Sequence, residues 1–85
     1  KLNLENFLFP LMKQRLIHGE AIRKLRQVKG FTQYTVAKNM NITQQAYSKI
    51  EKRKVSSIKM FQRILLALES NLNEFERVNP PPPTK

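Results

Sequence analysis

The chain has no cysteine and only one histidine, His18, among its 85 residues. Without cysteine neither a disulfide framework nor a thiolate metal site can form, and one histidine cannot build a histidine cluster. A catalytic centre made of a nucleophile, a base and an orienting group also needs several converging titratable side chains. The composition therefore predicts a protein without catalytic activity, bound metal or cofactor.

Long apolar runs are missing as well. No stretch approaches the roughly 18 apolar residues that a membrane-spanning helix needs, and the N-terminus lacks the charged, apolar and small-residue order of a signal peptide. These absences predict a soluble, intracellular protein with no membrane partner.

Acidic residues are few, since 6 Asp and Glu stand against 16 Lys and Arg, giving a formal net charge of +10. The excess lies in the middle of the chain, where Glu20 and Glu51 are the only acids between Lys13 and Arg63. Such a field attracts phosphate polyanions and releases their counterions on contact. Nucleic acid is the predicted partner, and an anionic membrane surface is the alternative for charge alone.

Capping residues mark three short helices in this basic region. Residues 20–29 show helical apolar spacing and precede Gly30, which can adopt the left-handed conformation at a helix end. Thr32 and Thr43 stand where a hydroxyl can cap the next two helices. Asn41, between those two helices, tolerates a positive φ. Two short helices joined by a three-residue turn predict a helix-turn-helix.

Two further helices are expected after a basic loop. Ser56 or Ser57 can cap an amphipathic helix that runs to about Glu69. Asn71 and Glu74 match a capping box at the start of a short fifth helix. The predicted fold class is therefore all-α, with five helices in one compact domain.

The two ends of the chain differ from this domain, which we predict to span residues 18–78. Residues 1–17 are rich in apolar side chains and predict an arm or an extra helix. That segment packs either on the domain itself or on a second copy or another protein, and the sequence favours neither. Residues 79–85 contain four consecutive prolines and predict a disordered tail.

Gln44 and Gln45 occupy the first turn of the helix that Thr43 caps. A recognition helix inserts this end into the major groove of DNA. Glutamine carries a donor and an acceptor side by side, so it can bond both N6–H and N7 of adenine, whereas lysine offers only donors and glutamate only acceptors. The pair of amides therefore predicts readout of base edges.

Residues 19–75 resemble the phage Cro/repressor type of helix-turn-helix domain, often called the XRE family. The resemblance is carried by the segments GEAIRKLRQVKGFTQ, VAKNMNITQQAYSKIEKRK and ILLALESNLNEF. It implies a five-helix, lambda-repressor-like fold with an N-terminal apolar extension. The sequence departs from the family at Asn41, Glu69 and Arg53, three positions where family members often have glycine.

The resemblance also implies a role for individual residues. The residues expected to read bases are Gln44, Gln45, Thr43, Tyr47 and Ser48. Those expected to bind DNA phosphates are Gln33, Thr32, Lys49, Lys52, Arg53 and Lys54. The dimerisation candidates are Leu72, Phe75, Val78, Phe7 and Phe9. For Tyr47 a place in the core is an equal alternative, and Glu51 is expected to pair with an arginine such as Arg26.

The expected function is that of a sequence-specific transcriptional regulator, with repression favoured over activation, which binds double-stranded DNA as a homodimer in the bacterial cytoplasm, at the nucleoid. One alternative is an antitoxin, which binds its operator through this domain and a toxin protein through the apolar arm or the tail; copurification of a second polypeptide would favour it. Another is an RNA-associated or coactivator-type relative that uses the basic face without reading bases. Competition with random duplex and with RNA separates these functions.

Overall fold

The computed structural model describes residues 17–80, which form five helices and one small sheet. In chain order the elements are β1 (Ile17–His18), α1 (Gly19–Lys29), α2 (Gln33–Met40), α3 (Gln44–Ile50), β2 (Lys54–Val55), α4 (Ile58–Ala67) and α5 (Leu72–Val78). The predicted all-α class is confirmed for this part of the chain. None of its helices has the length and apolarity needed to cross a membrane.

Side-chain caps fix the helix-turn-helix, which consists of α2, the turn and α3. Thr32 Oγ1 accepts a hydrogen bond from the backbone N–H of Thr35, and Thr43 Oγ1 accepts one from that of Ala46, each at 3.1 Å. Between the two helices Asn41 adopts the left-handed conformation, with φ 62°. These caps satisfy amide groups that the first turn of a helix otherwise leaves unpaired.

The second half of the domain follows the sequence prediction with small shifts. Ser57 rather than Ser56 caps α4, because its Oγ accepts a hydrogen bond from the backbone N–H of Met60 at 3.2 Å. Helix α4 ends two residues before Glu69, whose backbone has turned to φ 54°. Asn71 Oδ1 caps α5 at 2.8 Å from the Glu74 N–H. A negative φ, between −50° and −90°, is the normal helical value, so Glu69 marks a true helix end.

The core collects apolar side chains from every helix and from both strands. Its largest fully buried members are Tyr47, Phe61, Ile22, Leu25, Ile64, Leu68 and Val36. Phe75 of α5 also belongs to it, since the side chain is 4% exposed and packs edge-to-face on Phe61 with ring centroids 5.0 Å apart. The prediction that Phe75 contributes to a dimer interface is therefore wrong, because its ring is already buried within one chain.

The two-stranded sheet was not predicted. Strands β1 and β2 are antiparallel, with Ile17 opposite Val55 and His18 opposite Lys54. Two-residue strands are too short to show the alternation by which a strand is read from sequence. Because Ile17 is 4% exposed and lies in the core, the domain begins at least one residue earlier than predicted. The remaining residues of the predicted arm lie outside the described part of the chain.

Gly19 allows α1 to pack closely against the end of α3. A Cβ at this position would overlap the backbone carbonyl group of Ile50. The backbone N–H of Gly19 donates to the Arg53 carbonyl at 2.7 Å. Any side chain at Gly19 would push α1 away from the loop between α3 and β2.

Candidate nucleic-acid interface

The N-terminus of α3 projects into solvent. Thr43, Gln44 and Gln45 are all exposed. Since Thr43 Oγ1 accepts its hydrogen bond from Ala46, the Thr43 hydroxyl proton remains free to donate. This turn therefore presents two amides and a hydroxyl donor on a surface, as readout of base edges requires.

One turn further along α3 the predicted residues separate into two sets. Ser48 is half-buried and Lys49 is exposed, and each lies four residues after one of the glutamines, on the same face of α3. Tyr47 is 0% exposed, and the prediction that it reads bases is wrong. Its ring holds α3 onto the core, which is the alternative that the sequence left open.

A buried polar cluster centred on Glu51 lies at the end of α3. Arg26 Nε donates to Glu51 Oε2 at 2.6 Å, and Arg26 Nη2 donates to Oε1 at 3.3 Å. Gln33 Nε2 donates to the same Oε1 at 2.9 Å. The cluster ties α1, α2 and the end of α3 together, and the predicted pairing of Glu51 with Arg26 is confirmed.

Burial and hydrogen bonding oppose each other at the Glu51 carboxylate. Burial raises the pKa, but the donors Arg26 and Gln33, together with the nearby Tyr47 hydroxyl, hold the pKa of Glu51 below its ordinary value. The hydrogen bond to Glu51 raises the pKa of Arg26. Burial, followed by the neighbouring Glu51 charge, raises the pKa of the Tyr47 hydroxyl, which has no partner in hydrogen-bonding geometry.

This cluster also fixes the position of Gln33, the residue predicted to bind a phosphate at the start of α2. The bond to Glu51 uses one of the two N–H donors of the Gln33 amide, so the second donor remains for a phosphate and the predicted role stays a prediction. The backbone at this end of α2 also suits an anion, because the first N–H groups of a helix have no carbonyl partner within it. Exposed Thr32 lies beside them.

The predicted basic residues lie in the last turn of α3 and in the segment that follows it. Lys49 belongs to α3, Lys52 and Arg53 to the loop, and Lys54 to β2, and all four are exposed. Between residues 17 and 80 the ion pairs are Arg26–Glu51 and Lys29–Glu74, so neither neutralises these four cations. Their charge is available to a polyanion beside the exposed turn of α3.

Two residues beside this loop were missed by the sequence analysis. His18 and Arg23 are exposed and line the same groove as Lys52, Arg53 and Lys54. The pairing of β1 with β2 and the hydrogen bond from Gly19 to Arg53 bring them there. Two-residue strands show no alternation in the sequence that would have indicated this pairing.

The residues predicted to form a dimer interface are only partly exposed in the described part of the chain. Leu72 and Val78 are half-buried against the core, while Leu66 of α4 is 77% exposed. Phe7 and Phe9 lie outside the described residues. The described part of the chain also holds no group of His, Asp and Glu residues that could bind a metal.

Comparison with known proteins identifies the domain. A helix-turn-helix family model matches residues 22–75, more than half of the 85-residue chain. Searches of curated proteins and of solved structures gave no match. The match includes the whole of α2 and α3 and most of α1 and α5. The chain therefore belongs to the Cro/repressor (XRE) type of helix-turn-helix family, whose members bind DNA and regulate transcription.

Proposed function

We propose that this chain is a sequence-specific transcriptional repressor that reads its operator with the first turn of α3. The observation that carries the proposal is the exposure of Gln44 and Gln45 directly after the Thr43 cap. Buried Tyr47 and Ile50 hold the opposite face of α3 in the core. The helix is thus fixed with its glutamines outward.

The residues beside the glutamines extend the reading surface. Side chains four residues apart share a face of a helix, so Ser48 lies next to Gln44 and Lys49 next to Gln45. A glutamine paired with adenine through both its amide groups discriminates against a wrong base by about 1–3 kcal/mol. Lysine at the edge of this surface contacts a guanine or a phosphate through its donors. The expected site therefore contains at least one adenine in each half.

Phosphate contacts on either side of α3 would fix its position in the groove. The N-terminus of α2, with the Thr32 cap, offers backbone N–H groups and the positive end of the helix dipole. Exposed Lys52, Arg53 and Lys54 offer charge on the other side. Such contacts give affinity and orientation but carry no sequence information, which leaves specificity to the glutamines.

A homodimer is the expected binding form. Helix-turn-helix proteins commonly bind as two-fold dimers whose half-sites lie about one helical turn, roughly 34 Å, apart. On the described surface, exposed Leu66 and half-buried Leu72 and Val78 are the apolar side chains we assign to the contact. Sedimentation of the full chain with and without operator measures this state.

Selection from a random duplex pool tests the proposed function. The chain is expected to enrich a two-fold symmetric motif whose half-sites are one turn apart, and transcription from a promoter overlapping that motif is expected to fall when the protein is added. A pool that shows no enriched motif after several rounds would contradict sequence-specific binding. Enrichment with unchanged or increased transcription would contradict repression alone.

A further inference from the structure

An open groove runs between the start of α1 and the loop that joins α3 to β2. His18 of β1, Glu20 and Arg23 of α1, and Lys52, Arg53 and Lys54 after α3 line it. All six side chains are exposed. Glu51, which directly follows α3, also lines the groove, so the groove lies beside the C-terminal end of that helix.

Backbone contacts hold the two sides of the groove at a fixed separation. His18 is paired with Lys54 in the β1–β2 ladder, and the Gly19 N–H donates to the Arg53 carbonyl at 2.7 Å. Because Gly19 has no Cβ, α1 lies directly against the backbone of Ile50 and Glu51. Because the backbone of the groove is already fixed, less conformational entropy is lost when its side chains bind a ligand, which favours binding.

The net charge of the groove is positive, because four Lys and Arg side chains and two carboxylates line it. Glu51 lies at its floor, but that carboxylate is paired with Arg26 and hydrogen-bonded by Gln33. Glu20 is the one other acid in the lining. Arg23 and the three loop cations take part in no ion pair among residues 17–80. Four cations on one exposed surface suit a polyanion that runs past them better than a single small anion.

We propose that this groove binds backbone phosphates of the DNA strand that flanks the bases contacted by α3, and that Arg23 is the phosphate ligand on the α1 side. The inference rests on the proposed function, because it assumes that α3 lies in the major groove. The DNA strand that borders the major groove beside the C-terminal end of α3 would pass the segment from Lys52 to Lys54. Arg23, beside that segment, then contacts the same strand, and its planar fork suits phosphate oxygens.

Arg23→Gln is the variant that tests the inference, and Arg77→Gln is its matched control. Arg77 is also an exposed arginine, but it lies on α5, outside the groove. Both variants lower the net charge by one, so long-range attraction weakens equally. Loss of one exposed charge contact should weaken binding to the selected duplex about three- to fivefold for Arg23→Gln beyond the control. Fluorescence anisotropy with a labelled duplex measures this difference.

The salt dependence of binding and ethylation interference give two further tests of the same contact. Each lost phosphate contact lowers the slope of log K against log salt by about 0.9, so Arg23→Gln should show a smaller slope than Arg77→Gln. Ethylation of one flanking phosphate should impair binding of the wild-type chain and of Arg77→Gln but no longer that of Arg23→Gln. Arg23→Lys, which keeps the charge, should recover part of the lost affinity.

Equal affinities and equal slopes for Arg23→Gln and Arg77→Gln, in chains that give the same circular dichroism spectrum, would overturn the inference. If the same chains still select a motif, the groove assignment fails while the proposed function stands. If no motif is selected, the proposed function fails, and the slope measured on random duplex still decides whether Arg23 contacts phosphate.

Discussion

Glu51→Gln perturbs the buried cluster that supports the recognition helix. In the wild-type chain the Glu51 side chain is 3% exposed and that of Arg26 is 11% exposed. The variant keeps the size of the side chain but replaces one acceptor oxygen with an NH₂ donor, which then faces the donors of Arg26 or Gln33. The Arg26 charge is left inside the domain without its counterion.

The magnitude follows from this burial. Removing one partner of a buried ion pair costs about 3–5 kcal/mol. One acceptor oxygen survives in the variant, and Arg26 still donates to the Phe31 carbonyl at 2.9 Å, so we expect a loss of about 2–4 kcal/mol. For a domain of this size such a loss lowers the melting temperature by at least about 10 °C.

Urea unfolding followed by circular dichroism at pH 7, together with a thermal scan, measures the loss. Glu74→Gln is the control, because Glu74 belongs to the other ion pair and lies at the surface. Since exposed pairs add little to stability, the control should change the melting temperature far less. Equal melting temperatures for the two variants would refute the argument that the Glu51 cluster is a buried stabilising element. Adding Arg26→Met to Glu51→Gln should recover part of the loss, because the unpaired charge is removed.

Acid unfolding tests the same cluster through protonation. The pKa of Glu51 is lowered in the folded state, so the unfolded chain takes up this proton first as the pH falls. Its contribution to stability is complete above the ordinary glutamate pKa and is lost as the pH falls through the folded-state pKa. Glu51→Gln should therefore lose less stability than the wild-type chain between pH 6 and pH 3. Parallel pH curves for the two chains would contradict this assignment.

The remaining stability predictions concern four single substitutions. Tyr47→Phe should change the free energy of unfolding by less than about 1 kcal/mol and leave DNA affinity unchanged, because the hydroxyl is buried without a hydrogen-bonding partner; urea unfolding and anisotropy measure both, and a tenfold loss of affinity would return Tyr47 to the interface. Glu69→Gly should raise the free energy of unfolding by about 0.5–1 kcal/mol, because its φ of 54° strains a residue with a Cβ. Asn41→Gly, at φ 62°, should gain less, since asparagine tolerates this conformation. Arg53→Gly should destabilise the domain, because Arg53 is not among the described residues with positive φ.

Local chemistry made the helices predictable from the sequence. The caps Thr32, Thr43 and Asn71 act within three residues, so each helix start could be found without knowing the fold. Local backbone conformation also explains two of the three positions where family members often have glycine. Asn41 and Glu69 both adopt the left-handed backbone that favours glycine. The third, at Arg53, has no such backbone to explain it.

Non-local contacts set the limit of prediction. The sheet depends on Ile17 meeting Val55, which lie far apart in the sequence and in strands too short to show a period. The contact of Gln33 with Glu51 could not be inferred either, since the two residues lie 18 positions apart in the sequence. For Tyr47 the spacing in α3 left the buried and the exposed faces equally open, and only the packed core decided between them.

Specificity of the Gln44→Ala and Gln45→Ala variants tests the central claim most directly. The measurement is the ratio of the dissociation constants for random duplex and for the selected motif, with Gln27→Ala, an exposed glutamine on α1, as the control. The account predicts that each interface variant lowers this ratio about 5- to 150-fold, which corresponds to about 1–3 kcal/mol for a paired base, while binding to random duplex and the Gln27→Ala ratio stay unchanged. Equal losses on both duplexes, or a preserved ratio, would contradict readout by the first turn of α3.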